Sequence, residues 1–244
     1  ALVGLLCPLV LAAVGQTAAA QTVYTWTGSG GNSNNWNTPR NWSNDTRPVS
    51  DISNSTVVFS ILSTTNLSNN NNIGTLSLRG IQVFSPSGPI NVSGTDTITL
   101  GVGGVDLSTA TQNLTLATPI ALGANQTWSV NSGRTLTVSG VVSGSSNLTK
   151  SGAGTLLLTG ANTYSGSTTV NAGTLTLGNA PSNPIAGSLT SAVTVNTGGT
   201  LGGSGTVNGT LAVAGGTIAP GTSGTGTFSA GNTTLAGGSR YTFE

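Results

Sequence analysis

Few residues in this chain are able to do chemistry. Six Lys and Arg and five Asp and Glu stand among 244 residues, with no His and a formal net charge of +1. Asp96 and Asp106, on adjoining strand or turn segments, are the candidate for a carboxylate pair or a cation site; the alternative is that each caps a turn. Lys150 is the candidate base of a Ser–Lys dyad. After Asp106 no acidic residue occurs before Glu244, so the second half of the chain cannot build the carboxylate pair that sugar hydrolysis needs. Without His there is neither a Ser-His-Asp triad nor a His-ligated metal. The expectation is a protein that is not an enzyme and carries no cofactor or metal.

Binding chemistry is equally restricted. The cations Arg40, Arg47, Arg79, Arg134, Lys150 and Arg240 are scattered, whereas a nucleic-acid site needs them clustered. The many Gly-x-Gly pairs are not followed by G-K-[ST], so no nucleotide loop is expected. "GGSGTV" from Gly202 lacks the Asp of the calcium-binding nonapeptide. Trp26, Trp36 and Trp42 are the best candidate contacts for a carbohydrate or a surface. Their competing role is to cover one open end of a stacked core, because each ring removes a large apolar area from water. The pairs Thr97/Thr99, Thr135/Thr137 and Thr174/Thr176 suggest an ice-binding ladder, but the intervening Thr155/Leu157 breaks it. Sequons at Asn91 and Asn147 are expected by chance in a chain so rich in Asn and Thr.

The elements that must position these residues follow from pattern. "ALVGLLCPLVLAAVG" and an A-x-A site at Ala18 to Ala20 read as a signal peptide over residues 1–20, lacking its basic start. The run is shorter than the ~20 residues of a membrane span, and Pro8 and Gly15 interrupt it. Leu6 before Cys7 does not suit a lipoprotein site, and cleavage would remove the only cysteine. Residues 21–66 read as a small cap with irregular loops pinned by the three Trp, and "LSNNNN" from Leu67 as a turn or linker.

From residue 73 to 244 one word recurs, as in "GTLSLRG", "GRTLTVSG", "GTLLLTG" and "GTLTLG". Its anchors Leu76, Ile98, Leu114, Leu136, Leu156, Leu175 and Leu201 return about every 20 residues, the signature of a parallel β-helix. Alternation places Leu175 and Leu177 on one face of a strand and Thr174 and Thr176 on the other. Stacked rungs should then bring Leu156 to Leu175 and Leu158 to Leu177. Eight such words suggest eight rungs and a length of ~40 Å at a strand spacing of ~4.8 Å.

"LTKSGAGTLLLTGANTYSGSTTVNAGTLTLG" (residues 148–178) resembles the passenger-associated strand repeat of bacterial autotransporters. Leu148, Lys150, Gly152, Gly154, Thr155, Leu156, Leu158, Gly160, Asn162, Tyr164, Gly166, Thr168, Val170, Gly173 and Leu175 fall on its pattern. The stretch from Gly198, with its "GGTIAPG" turn, is similar to the later part of such passengers, and the W-x-G opening of the mature chain to related surface proteins. The resemblance implies an all-β, right-handed parallel β-helix with a small Trp-rich N-terminal cap. It further implies export and display on, or release from, the outer membrane of a Gram-negative bacterium. Such passengers are carried by a C-terminal outer-membrane β-barrel. No run of amphipathic barrel strands precedes Glu244, so a barrel partner or another anchor is expected outside this segment. The role expected is a non-enzymatic stalk, spacer or adhesin with an extracellular glycan, host or surface ligand. A second reading stays open: the non-catalytic or carbohydrate-binding part of a larger secreted carbohydrate-active enzyme.

Overall fold

Strand after strand in this chain pairs in parallel with the one a full coil away. The computed structural model describes residues 20–178, 187–221 and 227–242; the signal peptide expected over residues 1–20 lies, up to Ala19, outside them. The described residues form a parallel β-solenoid of one 12-stranded sheet, one 9-stranded sheet and a short 3-stranded sheet. Glycine makes the corners possible. Gly173 has φ +65°, and a Cβ there would collide with the carbonyl oxygen of Gly154 one coil earlier.

The stacking register follows from alternation. Strands Thr155–Leu158 and Gly173–Leu177 pair so that Leu156 faces Leu175 and Leu158 faces Leu177. All four leucines are fully buried, while Thr174 and Thr176 are partly exposed. The column Ile90, Leu114, Leu136, Leu156, Leu175, Leu201 and Ile218 runs through seven of the nine strands of the second sheet. No single coil could bury these side chains; stacking does so continuously.

Two expectations need correction. The anchors do not form one column: Leu76 and Ile98 pair in the first sheet, whereas Leu114, Leu136, Leu156, Leu175 and Leu201 belong to the second. Each coil contributes a strand of similar pattern to more than one face, so counting words does not count rungs. The first sheet runs through ten successive strands, about 43 Å at the usual strand spacing. Ser68–Asn70, expected as a turn, is a strand paired with Ile90–Ser93. The Trp-rich cluster stands at the N-terminal end as expected, and the strands beside it belong to the stack. Thr22–Trp26 pairs with Asp51–Phe59, which pairs with Leu76–Val83, so the first sheet begins inside residues 21–66.

The two ends of the stack differ. The loop between the first two strands folds over the N-terminal end of the core. At the other end the strands Ser229–Ala230, Thr233–Leu235 and Arg240–Tyr241 are exposed throughout.

Candidate functional site

Trp26, Trp36 and Trp42 come together at the N-terminal end and are 0, 0 and 1 % exposed. Trp42 stands edge-on to both partners, with ring centroids 5.0 Å from Trp26 and 5.4 Å from Trp36, and Trp36 meets Phe59 at 6.5 Å. Each indole N–H has an acceptor. Trp42 Nε1 donates to Trp36 O (2.8 Å), Trp36 Nε1 to Asn69 Oδ1 (2.8 Å) and Trp26 Nε1 to Thr65 O (3.4 Å). The loop that places them is held by buried Asn41, whose Nδ2 donates to the carbonyls of Ser33 and Asn35 and whose Oδ1 accepts from the Gly30 amide. In this arrangement the rings present no face to solvent.

Asp96 and Asp106 are engaged separately. Asp96 Oδ2 accepts from the Gly74 amide at 2.7 Å, and Asp106 Oδ1 from the Ser108 amide at 2.8 Å. They flank or occupy opposite ends of the strand Ile98–Leu107, whose first part pairs with Ile120–Leu122 and whose last part pairs with Gln126–Val130. The strand is irregular between its two ends, where its register with Leu76–Val83 shifts and Gly104 has φ +55°. Asp51 closes a turn of its own; its carboxyl lies below the usual range because the Asn54 side chain and the Ser53 amide donate to it. Among the described residues no group of three or more His, Cys, Asp or Glu is placed to hold a metal ion.

Lys150 is buried in the strand Leu148–Ser151, at a position where alternation calls for an apolar side chain. Its neighbours in register are Trp128 and Val170. The ammonium donates to three backbone carbonyls: Ser151 at 2.8 Å, Gly152 at 2.7 Å and Ala172 at 3.1 Å, the last from the next coil. Burial lowers its pKa from 10.5 to about 8, so at neutral pH it stays protonated. No serine hydroxyl accompanies it in these contacts, and a protonated amine with three acceptors is a poor base.

The other polar residues of the same segment behave alike. Asn162 is buried, donates to the carbonyls of Gly160 and Ser188 and accepts from the Val142 amide. The Tyr164 hydroxyl meets Thr168 Oγ1 at 2.6 Å, and burial pushes the phenol up to about 12. Lys150 and Asn162 therefore tie one coil to the next through backbone groups, while the Tyr164 and Thr168 hydroxyls satisfy each other. Sequence reasoning assigned them to a repeat pattern without seeing that they point inward. A Lys or Asn in a strand carries no mark of facing except the parity it shares with buried neighbours.

Residues 148–177 match the Passenger-associated-transport-repeat family. The chain is also 44% identical over 106 residues to the Adhesin BmaC autotransporter of Brucella suis biovar 1 (strain 1330), covering 43% of this chain and 3% of that protein. It is 46% identical over 80 residues to a protein named Extracellular serine protease from Serratia marcescens, covering 33% of this chain and 7% of that protein. The chain thus spans only a small fraction of either relative's length. No solved structure matches it. The repeat, the two relatives and the solenoid point to a passenger-type protein without singling out a member.

Proposed function

We propose that this chain is a non-enzymatic part of an exported passenger, held at or released from the outer membrane of a Gram-negative bacterium, where it serves as a stalk, spacer or adhesin. The observation that carries the reading is the fate of the repeat's polar residues. Lys150, Asn162, Tyr164 and Thr168 all turn inward; Lys150 and Asn162 tie adjacent coils together and Tyr164 bonds Thr168 four residues on, which supports a segment built for extension and rigidity. The matched repeat and the adhesin relative support the same reading. Residues 1–20 would direct export and be removed, and the anchor would be an outer-membrane β-barrel or an equivalent. The Trp cluster would cover the N-terminal end of the stack rather than grip a ligand.

The test uses cells that express the natural gene. Protease shaving and fractionation should find the chain on intact cells or in the medium, with a mature N-terminus at Gln21 and no thiol. Purified material should show no hydrolase or lyase turnover on polysaccharides, with or without calcium. Cytoplasmic retention would overturn the export reading, and turnover lost in Lys150→Ala or Asp96→Ala would overturn the non-enzymatic one.

A further inference from the structure

The solenoid stacks two columns of polar side chains in register on the outer face of its first sheet. Thr127, Thr149, Thr169 and Thr194 follow one another on successive strands. Two residues earlier in the chain, Asn125, Asn147 and Ser167 form the second column, and each Asn is fixed from the following rung. The Asn147 amide donates to Asn125 Oδ1 at 2.9 Å, the Ser167 amide to Asn147 Oδ1 at 2.8 Å, and Ser167 Oγ meets Asn147 Oδ1 at 3.1 Å. With each Oδ1 engaged, the Nδ2 donors are the free ends of the two side-chain amides. Neither these nitrogens nor the hydroxyls of Thr127, Thr149 and Thr169 have a hydrogen-bond partner among the described residues. The columns line a groove of about 350 Å³ that also takes in Val102, 63% exposed.

We propose that this groove binds a neutral glycan whose chain runs along the solenoid axis, across successive rungs. No lining residue is ionisable, so a carboxylate or sulfate on the ligand would lose hydration without gaining a counter-charge. Hydroxyls that donate and accept, beside amides that donate, complement a ligand whose groups do both. The oriented asparagines are preorganised, which lowers the entropy lost on binding. A peptide fits less well. Same-facing residues of an extended strand repeat every ~6.7 Å, whereas the rungs repeat every ~4.8 Å, so register is lost within a few units. Nor could a peptide add as a strand here, since these strands are already paired on both sides. Val102 offers the apolar face of a sugar ring its one hydrophobic contact in the groove.

The inference deepens the adhesive reading and rests on it only for the polymer being met outside the cell. Export and binding are measured separately, so either can fail alone. The experiment titrates the purified chain with xylo-, manno-, cello- and malto-hexaose, with heparin and oligogalacturonate as anionic counterparts, by calorimetry and amide chemical-shift mapping. At least one neutral oligosaccharide should bind, more tightly as it lengthens, with shifts centred on Asn125–Thr127 and Asn147–Thr149. Removing two hydroxyls in Thr127→Val/Thr149→Val should weaken it about tenfold, while the same change on the other sheet, Thr155→Val/Thr174→Val, leaves it unchanged. The proposal is overturned if no neutral oligosaccharide binds, if the anionic ones bind more tightly, or if the control pair loses as much. Should the first valine pair fail to fold, the wild-type shift map decides: perturbations away from the two columns overturn the site.

Discussion

Replacing Lys150 by Met separates a structural ammonium from a catalytic one. Methionine keeps an unbranched, flexible side chain between Trp128 and Val170 and removes only the charge. The carbonyls of Ser151, Gly152 and Ala172 then lose their donor. Hydrogen bonds to a charged group contribute ~1.5–3 kcal/mol each, so three amount to about 4.5–9 kcal/mol. Against this stands the desolvation of a buried ammonium, several kcal/mol in the other direction. The net loss expected is therefore about 2–4 kcal/mol, a large share of the ~5–15 kcal/mol that holds a protein folded. Thermal and denaturant melts followed by far-UV dichroism measure it. The pH dependence supplies an independent arm. The folded-state pKa of Lys150 is lowered to about 8 from 10.5, so between these values the unfolded chain binds the proton that the folded chain has released. Unfolding takes up a proton there, and the wild type should gain stability relative to Lys150→Met as pH rises through the window. Below pH 8 both states are protonated and the difference should be flat. A variant as stable as the wild type to within ~0.5 kcal/mol, or a difference that does not move between pH 8 and 10.5, would refute the account.

Three further substitutions test facing and the covered end. Leu175→Asp places a carboxylate between Leu156 and Leu201; loss of the leucine costs ~2–5 kcal/mol and the unpaired charge adds more, so unfolding should spread to neighbouring coils. Thr176→Asp, one residue along on the solvated face, should cost under ~1 kcal/mol, and equal effects in denaturant melts would mean that the strand is not oriented as described. Trp42→Ala removes the ring that contacts both other indoles and should cost ~3–5 kcal/mol. Hydrogen exchange should then rise first in Thr22–Trp26 and Asp51–Phe59, while the repeat at residues 148–177 keeps its protection; uniform loss of protection along the chain would show that the cluster is not a local cover.

Facing was legible in the sequence wherever leucine alternated with threonine, because a period of two leaves one reading of which side is apolar. Leu156, Leu158, Leu175 and Leu177 are buried and paired as alternation requires. Face was not legible. "GTLSLRG" and "GTLTLG" look alike, yet Leu76 belongs to the first sheet and Leu175 to the second, since nothing in a six-residue word encodes where the preceding corner left the chain. The threonine ladder shows the same limit. The break at Leu157 is real, as it stands between Thr137 and Thr176. But Thr135, Thr155, Thr174, Thr200 and Thr217 stack without a gap two residues earlier, a column visible only once register is known. The Asn125 and Asn147 column was hidden for a related reason: as sequence they are turn residues and chance sequons, and only stacking fixes their amides side by side.

A solenoid makes its own rule for which polar residues are available to a ligand. Where a corner leaves a backbone carbonyl without a ladder partner inside the stack, that group still needs a donor. The sequence answers with long or branched polar side chains at inward positions, and such a side chain is saturated as soon as the next coil is in place: Lys150 reaches Ala172, and Asn162 reaches Ser188. The residues most easily mistaken for catalysts are thereby the least free to react. Outward positions follow the opposite logic. There the ladder already satisfies the backbone, so hydroxyls and amides such as those of Thr149 and Asn147 keep donors to spare, and identical groups recur at each rung whether or not any one coil has an unusual composition. If the groove binds as proposed, recognition belongs to a column rather than to a motif. A single outward substitution should weaken binding in proportion to the share of rungs it removes, while a single inward one, like that at Lys150, acts on the stability of every coil that leans on it.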